Sequence, residues 1–320
     1  MLSLEGKKGL IIGIANDQSI AYGCAQVCRE QGAELAVTYL NDKAKVFVEP
    51  LASELGVEDN LLLPFDITQE GELDAVFQSI TEEWGKLDFV LHAMASATKA
   101  MTMSRLVDAE LDDFNFAMQV SCHSFLSVAR LSEPLLKKTQ GSLITMTYLG
   151  GQRVMNNYHF MGPMKAALES CVRYVATEFG ENNIRVHAIS ASAMETRAAS
   201  GIQDLTGLLK STKEKAPLQK LSTPRDVGEL MAFLASPNSQ GMTGGIHFVD
   251  GGYHIVGEVR LCEQYQYEEH NRSCSTRSQC SYSQTCRGKP EPQTTQDNKQ
   301  QTDRQSFLKG LEHQRSMTFV

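Results

Sequence analysis

Tyr148, Tyr158 and Lys165 stand in one stretch of the chain, and phenols beside an ammonium are groups that can do acid–base chemistry. A phenolic hydroxyl donates a hydrogen bond to an oxygen that is gaining negative charge. The ammonium stabilises that arrangement and can hold the hydroxyls of a cofactor sugar. A tyrosine and a lysine near a helix start are more often ordinary surface residues. A second feature argues against that reading here. Directly after the apolar run Gly9-Leu10-Ile11-Ile12 comes Gly13-Ile14-Ala15-Asn16-Asp17-Gln18-Ser19-Ile20, opening a helix that runs to about Gln31. Glycine lets the backbone turn sharply and approach a diphosphate, while a helix start offers unpaired N–H groups and a partial positive charge. Ser19 can cap the helix or donate its hydroxyl. The spacing departs from G-x-G-x-x-G, so a generic tight turn is the competing reading.

The second strand ends Tyr39-Leu40-Asn41, where a dinucleotide site usually has an acid for the adenosine ribose. Asp42 comes late, and no arginine or lysine stands at 40 or 41 to receive a 2′-phosphate, so NADH is favoured over NADPH. Asp66 is placed either to accept from an adenine amino group or to N-cap the helix that follows. Seven residues from Tyr158 to Lys165 would span close to two helical turns, but Gly162-Pro163 puts the helix start between them, and their geometry stays open. His92, His123 and His159 have no partner fixed by sequence and read as satisfied or solvent-facing.

The elements that must position these groups follow from periodicity. Short β-rich runs fall at residues 9–14, 34–39, 61–65, 89–94, 142–146, 186–190 and 246–249, with helical patterns between them. Such alternation requires parallel strands with right-handed crossovers. The expected fold is α/β, a doubly wound, Rossmann-type parallel sheet of about seven strands in a single domain. Thr223-Pro224-Arg225-Asp226 starts a late helix, with threonine as N-cap and an acid three residues on. Residues 191–218 form a long irregular connection, read as a lid over a pocket rather than a plain helix-bearing link.

The chain has 320 residues, 42% of them apolar, which is ample for one large core. Residues 258–320 are polar and poor in aliphatic side chains, so the domain is expected to span 1–257 and to be followed by a disordered tail. A net charge of -8 without a concentrated basic face argues against nucleic acid as a partner. No signal-peptide pattern opens the sequence and no apolar stretch is long enough to cross a bilayer. The expectation is a cytoplasmic protein without membrane contact. Cys24, Cys28, Cys122 and Cys171 read as small core thiols, and Cys262, Cys274, Cys280 and Cys286 lack the pairing of a metal frame, so no metal is expected.

Taken together, the turn from Gly13 to Ile20, Thr38-Tyr39-Leu40, His92-Ala93-Met94-Ala95, the stretch from Tyr148 to Lys165, Arg197-Ala198-Ala199-Ser200-Gly201-Ile202 and Val249-Asp250-Gly251-Gly252-Tyr253 carry a resemblance. Over residues 2–257 the chain resembles the bacterial-type enoyl-acyl-carrier-protein reductases, divergent short-chain dehydrogenases with an unusually wide tyrosine-to-lysine spacing. The resemblance implies hydride transfer from NADH to the β-carbon of a trans-2-enoyl thioester carried on acyl carrier protein. Tyr158 would donate to the enolate oxygen, Lys165 would bind the nicotinamide ribose, and Tyr148 would line the acyl site. It further implies Gly13, Ala15, Ser19, Ile20, Asp66, Ile67, Ala95, Met194 and Thr196 as cofactor positions. Ala97, Met155, Met161, Ala198 and Ile202 would wall the acyl chain. A homotetramer is implied as well, with contacts near the last helices and residues 251–253. A carbonyl reductase of the same superfamily and a non-catalytic dinucleotide-binding protein are the alternatives, because fold does not fix chemistry.

Three departures from that family pattern stand out. Ser190-Ala191-Ser192-Ala193-Met194-Glu195 replaces a proline- and glycine-bearing turn, which should loosen the backbone beside the nicotinamide. Ser96 replaces an aromatic residue and should enlarge or wet the pocket. Gln203, Thr206 and Gly207 stand where some members have basic residues that meet the acidic carrier, a role left to Lys210, Lys213 and Lys215.

Overall fold

The computed structural model describes residues 2–257 apart from 99, 100, 102–104, 198 and 203; residues 1 and 258–320 lie outside it, and with them the expected tail. Seven strands form the sheet: β1 (Lys8–Ile12), β2 (Glu34–Tyr39), β3 (Leu62–Pro64), β4 (Phe89–His92), β5 (Ser142–Tyr148), β6 (Arg185–Ala191) and β7 (Ile246–Val249). Every pairing is parallel, in the order β3-β2-β1-β4-β5-β6-β7. All seven expected runs are strands. β5 runs two residues further than the sequence pattern indicates and so carries Tyr148 as its last residue.

The helices described are α1 (Ile20–Glu30), α2 (Asp42–Glu54), α3 (Glu72–Glu83), α4 (Leu111–Met118), α5 (Ser124–Leu136), α6 (Met161–Gly180), α7 (Leu205–Lys215) and α8 (Pro224–Ala235). A π-helical turn, Gln119–His123, joins α4 to α5. Because parallel strands need crossovers, the helices cover both faces of the sheet, and the strands are apolar on both sides. One layer gathers Ile11, Leu35 and Val37 with Val27 of α1 and Met231 of α8; the other gathers Leu10, Ile12 and Val90 with Ile80 of α3, Phe125 of α5 and Leu168 of α6. Burying such aliphatic side chains contributes about 1.5–3 kcal/mol each.

α1 and α8 cross closely because both present glycine at the contact. A Cβ on Gly23 would lie 2.5 Å from the Pro224 side chain, and one on Gly228 would lie 2.7 Å from the Gly23 carbonyl oxygen. α8 begins as its sequence indicates: Thr223 accepts from the Asp226 N–H at 3.2 Å, and Asp226 accepts from the Thr223 N–H at 2.8 Å. The strand order reverses direction between β1 and β4. In sheets of this kind a crevice opens there, at the carboxyl ends of the strands.

Candidate active site

Gly13 takes φ +112°, and a Cβ there would lie 2.1 Å from the carbonyl oxygen of Ala93, just past β4. Only glycine lets the turn after β1 close so tightly over the crevice. Ser19 occupies the N-cap position of α1, yet its hydroxyl does not cap the helix. It accepts from the N–H groups of Ala15 and Asn16, both at 3.0 Å, and donates to the Asn16 Oδ1 at 3.2 Å. Ser19 therefore shapes the turn, leaving the first N–H groups of α1 without a side-chain cap.

A cleft of about 360 Å³ runs from Gly13 and Ala15 past Leu40 and Asn41 to Asp66, with Arg197 on its wall. Asp66 accepts from the Thr68 N–H at 2.9 Å and its hydroxyl at 2.8 Å, while Gly71 holds the N-cap position of α3. The helix-capping alternative for Asp66 is thus corrected: it closes a local turn and faces the cleft. Among the other expected cofactor residues, Ile20, Ala95, Met194 and Thr196 are buried outside this cleft's lining, and Ile67 packs against the α3 layer. Lys43 and Arg197 line the cleft although neither was assigned to it from sequence. Lys43 lies just inside the first turn of α2, and Arg197 reaches in from a distant connection that no local pattern joins to β2.

Tyr148 and Tyr158 meet edge to face, their ring centroids 4.8 Å apart at 62°. Tyr158 lies between Asn157 and His159, with φ of 61° and 28°, so a short left-handed kink aims its ring. Both phenols are half-buried, and the Tyr148 Oη is buried with no hydrogen-bond partner among the described residues. Burial first, then Tyr148 and Glu169, pushes the Tyr158 hydroxyl up; burial, Tyr253 and Asp250 do the same for Tyr148. Both remain neutral donors over the physiological range. A buried hydroxyl without a partner costs about 1–3 kcal/mol, a cost that a substrate oxygen could relieve.

α6 begins three residues after Tyr158, as Gly162-Pro163 suggests, and carries Lys165 inward to 1% exposure. Its Nζ donates to the Met146 carbonyl oxygen on β5 at 2.9 Å. Burial pulls the ammonium down to about 8, opposed by Cys122 and Glu169. Glu169, 3% exposed, is a residue the sequence reading missed. Its carboxylate accepts from the Thr147 hydroxyl at 2.8 Å and the Gln152 amide at 3.0 Å, so it grips the chain on both sides of Tyr148. The signal was an acid four residues after Lys165 on the same helix face.

Ala97 and Met161 come together at an apolar cluster of Met101, Ala117, Phe160 and Met164. Met155 and Ile202 are half-buried and stand outside that cluster, and Ala198 lies outside the described residues. The Ser96 Oγ is buried with no hydrogen-bond partner among the described residues. The 191–195 turn is better tied than its lost prolines suggest. Ser192, buried, donates its N–H to the Val249 carbonyl at 3.0 Å, and its hydroxyl accepts from the Ser222 N–H at 3.1 Å. The 191–218 connection contains α7, N-capped by Asp204, so the plain helix-bearing link is part of the correct description. His92 is buried between the Thr145 and Ser124 hydroxyls, both at 2.8 Å, and His123 and His159 are exposed, as expected.

A doubly wound sheet with a glycine turn after β1 and a tyrosine–lysine pair at β5 and α6 defines a dinucleotide-dependent reductase of the short-chain dehydrogenase class. Residues 13–254 match the family model described as enoyl-(acyl carrier protein) reductase. The enoyl-[acyl-carrier-protein] reductase [NADH] of Rickettsia felis is 45% identical over 258 residues, 81% of this chain and 98% of its own length. Number 1 of the enzymes of that name in Rhizobium meliloti is 44% identical, covering 79% of this chain and 92% of its own. Among solved structures, the Anaplasma phagocytophilum reductase in complex with NAD is 44% identical, with a TM-score of 0.76 over 80% of this chain and 96% of its own. The Bacillus cereus reductase with NADP+ and an indole naphthyridinone has a TM-score of 0.78 at 39% identity, over 81% and 100%. The chain belongs to the enoyl-acyl-carrier-protein reductase family.

Proposed function

We propose that this chain reduces the 2,3 double bond of trans-2-enoyl thioesters on acyl carrier protein, with NADH, in fatty-acid synthesis. The observation that carries the reading is the Tyr148–Tyr158 edge-to-face pair, together with Lys165 buried against the Met146 carbonyl and a Gly13 turn with room for backbone approach alone. The residues fit a dinucleotide: Gly13 and Ala15 line one end of the cleft, Asp66 the other, and among the described residues no side chain caps the start of α1. NADH, when bound, supplies the hydride to the β-carbon. Tyr158 stays protonated and donates to the thioester oxygen as it becomes an enolate oxygen. Tyr148, whose hydroxyl has no protein partner among the described residues, orients the acyl group. Lys165 exchanges its hydrogen bond to the Met146 carbonyl for the ribose hydroxyls. Ser19 holds the turn that would receive the diphosphate, and Ile20, Ile67, Ala95, Met194 and Thr196 would hold the rest of the cofactor. Ala97 and Met161 would line the acyl chain beside their apolar cluster, with Met155 and Ile202 further out, and Ala198, outside the described residues, completes the set that the resemblance implies.

The family match over residues 13–254 supports residues 1–257 as the whole reductase unit. Among the described residues, no helix is long and apolar enough to cross a membrane. We place the enzyme in the cytoplasm as a homotetramer, with an acidic carrier protein approaching Lys210, Lys213 and Lys215 on α7. The test is NADH oxidation on an enoyl-carrier thioester against a ketone, with Tyr158→Phe and Lys165→Met beside the wild type. Thioester-dependent turnover that Phe impairs without weakening NADH binding, and that Met impairs together with binding, supports the reading. Turnover of the ketone alone would favour the carbonyl reductase.

A further inference from the structure

Cys122 and Cys171 take no part in the chemistry above, yet their sulfur atoms lie 3.8 Å apart. Cys122 belongs to the π-helical turn Gln119–His123 and is 4% exposed; Cys171 lies on α6, six residues after Lys165, and is half-buried. Cys171, packed at the edge of the core, is the more exposed of the two thiols, and Cys122 lies deeper. We propose that Cys122 and Cys171 are an oxidation site, which a hydroperoxide closes into an intrachain disulfide behind Lys165.

The step balances. The Cys171 sulfur attacks the peroxide, an S–O bond forms as the O–O bond breaks, and the displaced oxygen leaves as water with the thiol proton. Sulfur is oxidised by two electrons and the peroxide is reduced by two. The Cys122 sulfur then attacks the sulfenyl sulfur, the S–S bond forms, and the S–O bond breaks to release a second water carrying the Cys122 proton. Burial, with Cys171 beside it, pushes the Cys122 thiol up to about 12, so this thiol waits protonated while the outer one reacts first. Cys24 and Cys28 make an internal comparison. Both are fully buried on α1, with Cys28 against the Met231 sulfur at 3.1 Å, so neither is an accessible first target.

Closing the bridge requires the sulfurs to approach by roughly 1.8 Å. The pair joins a π turn, an element frequent at functional sites, to the helix that carries Lys165. Ser121, next to Cys122, accepts from the Ser96 N–H at 3.0 Å and donates to the Ser96 carbonyl at 3.2 Å. Cys122 also lies within electrostatic reach of Lys165. Oxidation thus pulls on the segment after β4 and on the lysine together. In a reducing compartment such a bridge is transient, as redox-responsive thiol pairs are.

The test treats the full chain with hydrogen peroxide, blocks free thiols and maps peptides by mass. The expected result is a linked pair of peptides containing Cys122 and Cys171, two hydrogens lighter than the thiols, with NADH oxidation several-fold slower and both changes reversed by dithiothreitol. Cys171→Ser should keep normal turnover, form no link and lose the reversible inhibition. Cys122→Ser should stop Cys171 at its sulfenic or sulfinic acid. Wild type with no linked peptide, whether Cys171 is unmodified or over-oxidised, overturns the site. A link that leaves turnover unchanged overturns its action on the active site. The mass readout needs no turnover, so it stands apart from the functional reading above; the rate readout rests on that reading.

Discussion

Gly150 stands against the ring of Tyr158 so closely that a Cβ would lie 2.3 Å from its Cδ1 and 2.6 Å from its Cε1. The ring and the turn after β5 therefore share one space, and the glycine fixes where the phenol points. Gly150→Ala should push the ring off its position while leaving the dinucleotide turn intact. A misplacement of about 1 Å can cost on the order of a hundredfold in rate. We expect kcat/KM on the enoyl thioester to fall by about that factor, with NADH affinity, read by fluorescence titration, nearly unchanged.

Gly13→Ala should fail in the opposite sense. The added Cβ meets the Ala93 carbonyl oxygen at 2.1 Å, and φ of +112° is strained for any L side chain. The turn must open, so NADH affinity should fall at least tenfold and the melting temperature should drop, in keeping with a strain of about 1–3 kcal/mol. Unchanged NADH affinity would mean that the cofactor does not use this turn.

Lys165 supplies a pH dependence. Its ammonium, pulled down to about 8 by burial, is charged at neutral pH and loses its proton as pH rises through that value. Turnover should therefore fall on the alkaline side of about pH 8. Glu169 acts against burial by favouring the charged lysine. Glu169→Gln, nearly isosteric and able to keep the Thr147 bond, should move the alkaline limb to lower pH. A limb that stays in place would show that Glu169 only braces the turn.

His92 links pH to stability. Burial, then Lys165, lowers its imidazole to about 3, whereas an unfolded chain takes up the proton near 6.5. Between those values the unfolded state binds more protons, so stability is full above pH 6.5 and is lost as pH falls toward 3. His187, also pulled down to about 3 by burial and then by His247 and Arg185, acts in the same direction. His92→Gln can keep both hydroxyl partners without titrating. Its unfolding free energy between pH 6 and 5 should fall less steeply than that of wild type, by about 1 kcal/mol per pH unit.

On α7, Lys210 is 3.9 Å from Glu214, whereas Lys213 and Lys215 are exposed in the last turn. If they meet an acidic carrier, reversing all three charges should raise KM several-fold for carrier-linked substrate and leave a coenzyme-A thioester unaffected. Equal behaviour of the two substrates would remove the docking role.

The strands were legible because parallel sheets buried on both faces write themselves as apolar runs, and α8 because Thr223-Pro224-Arg225-Asp226 is a complete capping signal. Tyr148, Tyr158 and Lys165 stood out by residue type, but spacing left their geometry open, and the edge-to-face meeting of the two phenols appears only in the fold. Glu169 escaped because its partners, Thr147 and Gln152, are neighbours only once α6 packs against β5. Ser192 escaped for a similar reason: its role as a tie appears only when Ser222, 30 positions on, arrives beside it. The missing prolines of that turn suggested slackness, and a buried hydroxyl supplied the restraint instead. Asp66 looked like a helix cap because a helix follows, but five intervening residues put the helix start at Glu72.

The most direct test uses NADH deuterated at the transferring carbon, an enoyl-carrier thioester and mass analysis of the acyl product. One deuterium on the β-carbon, with the α-proton drawn from solvent and the rate strongly reduced in Tyr158→Phe, is the predicted result. No label at that carbon, or equal label and rate in Tyr158→Phe, would contradict the account.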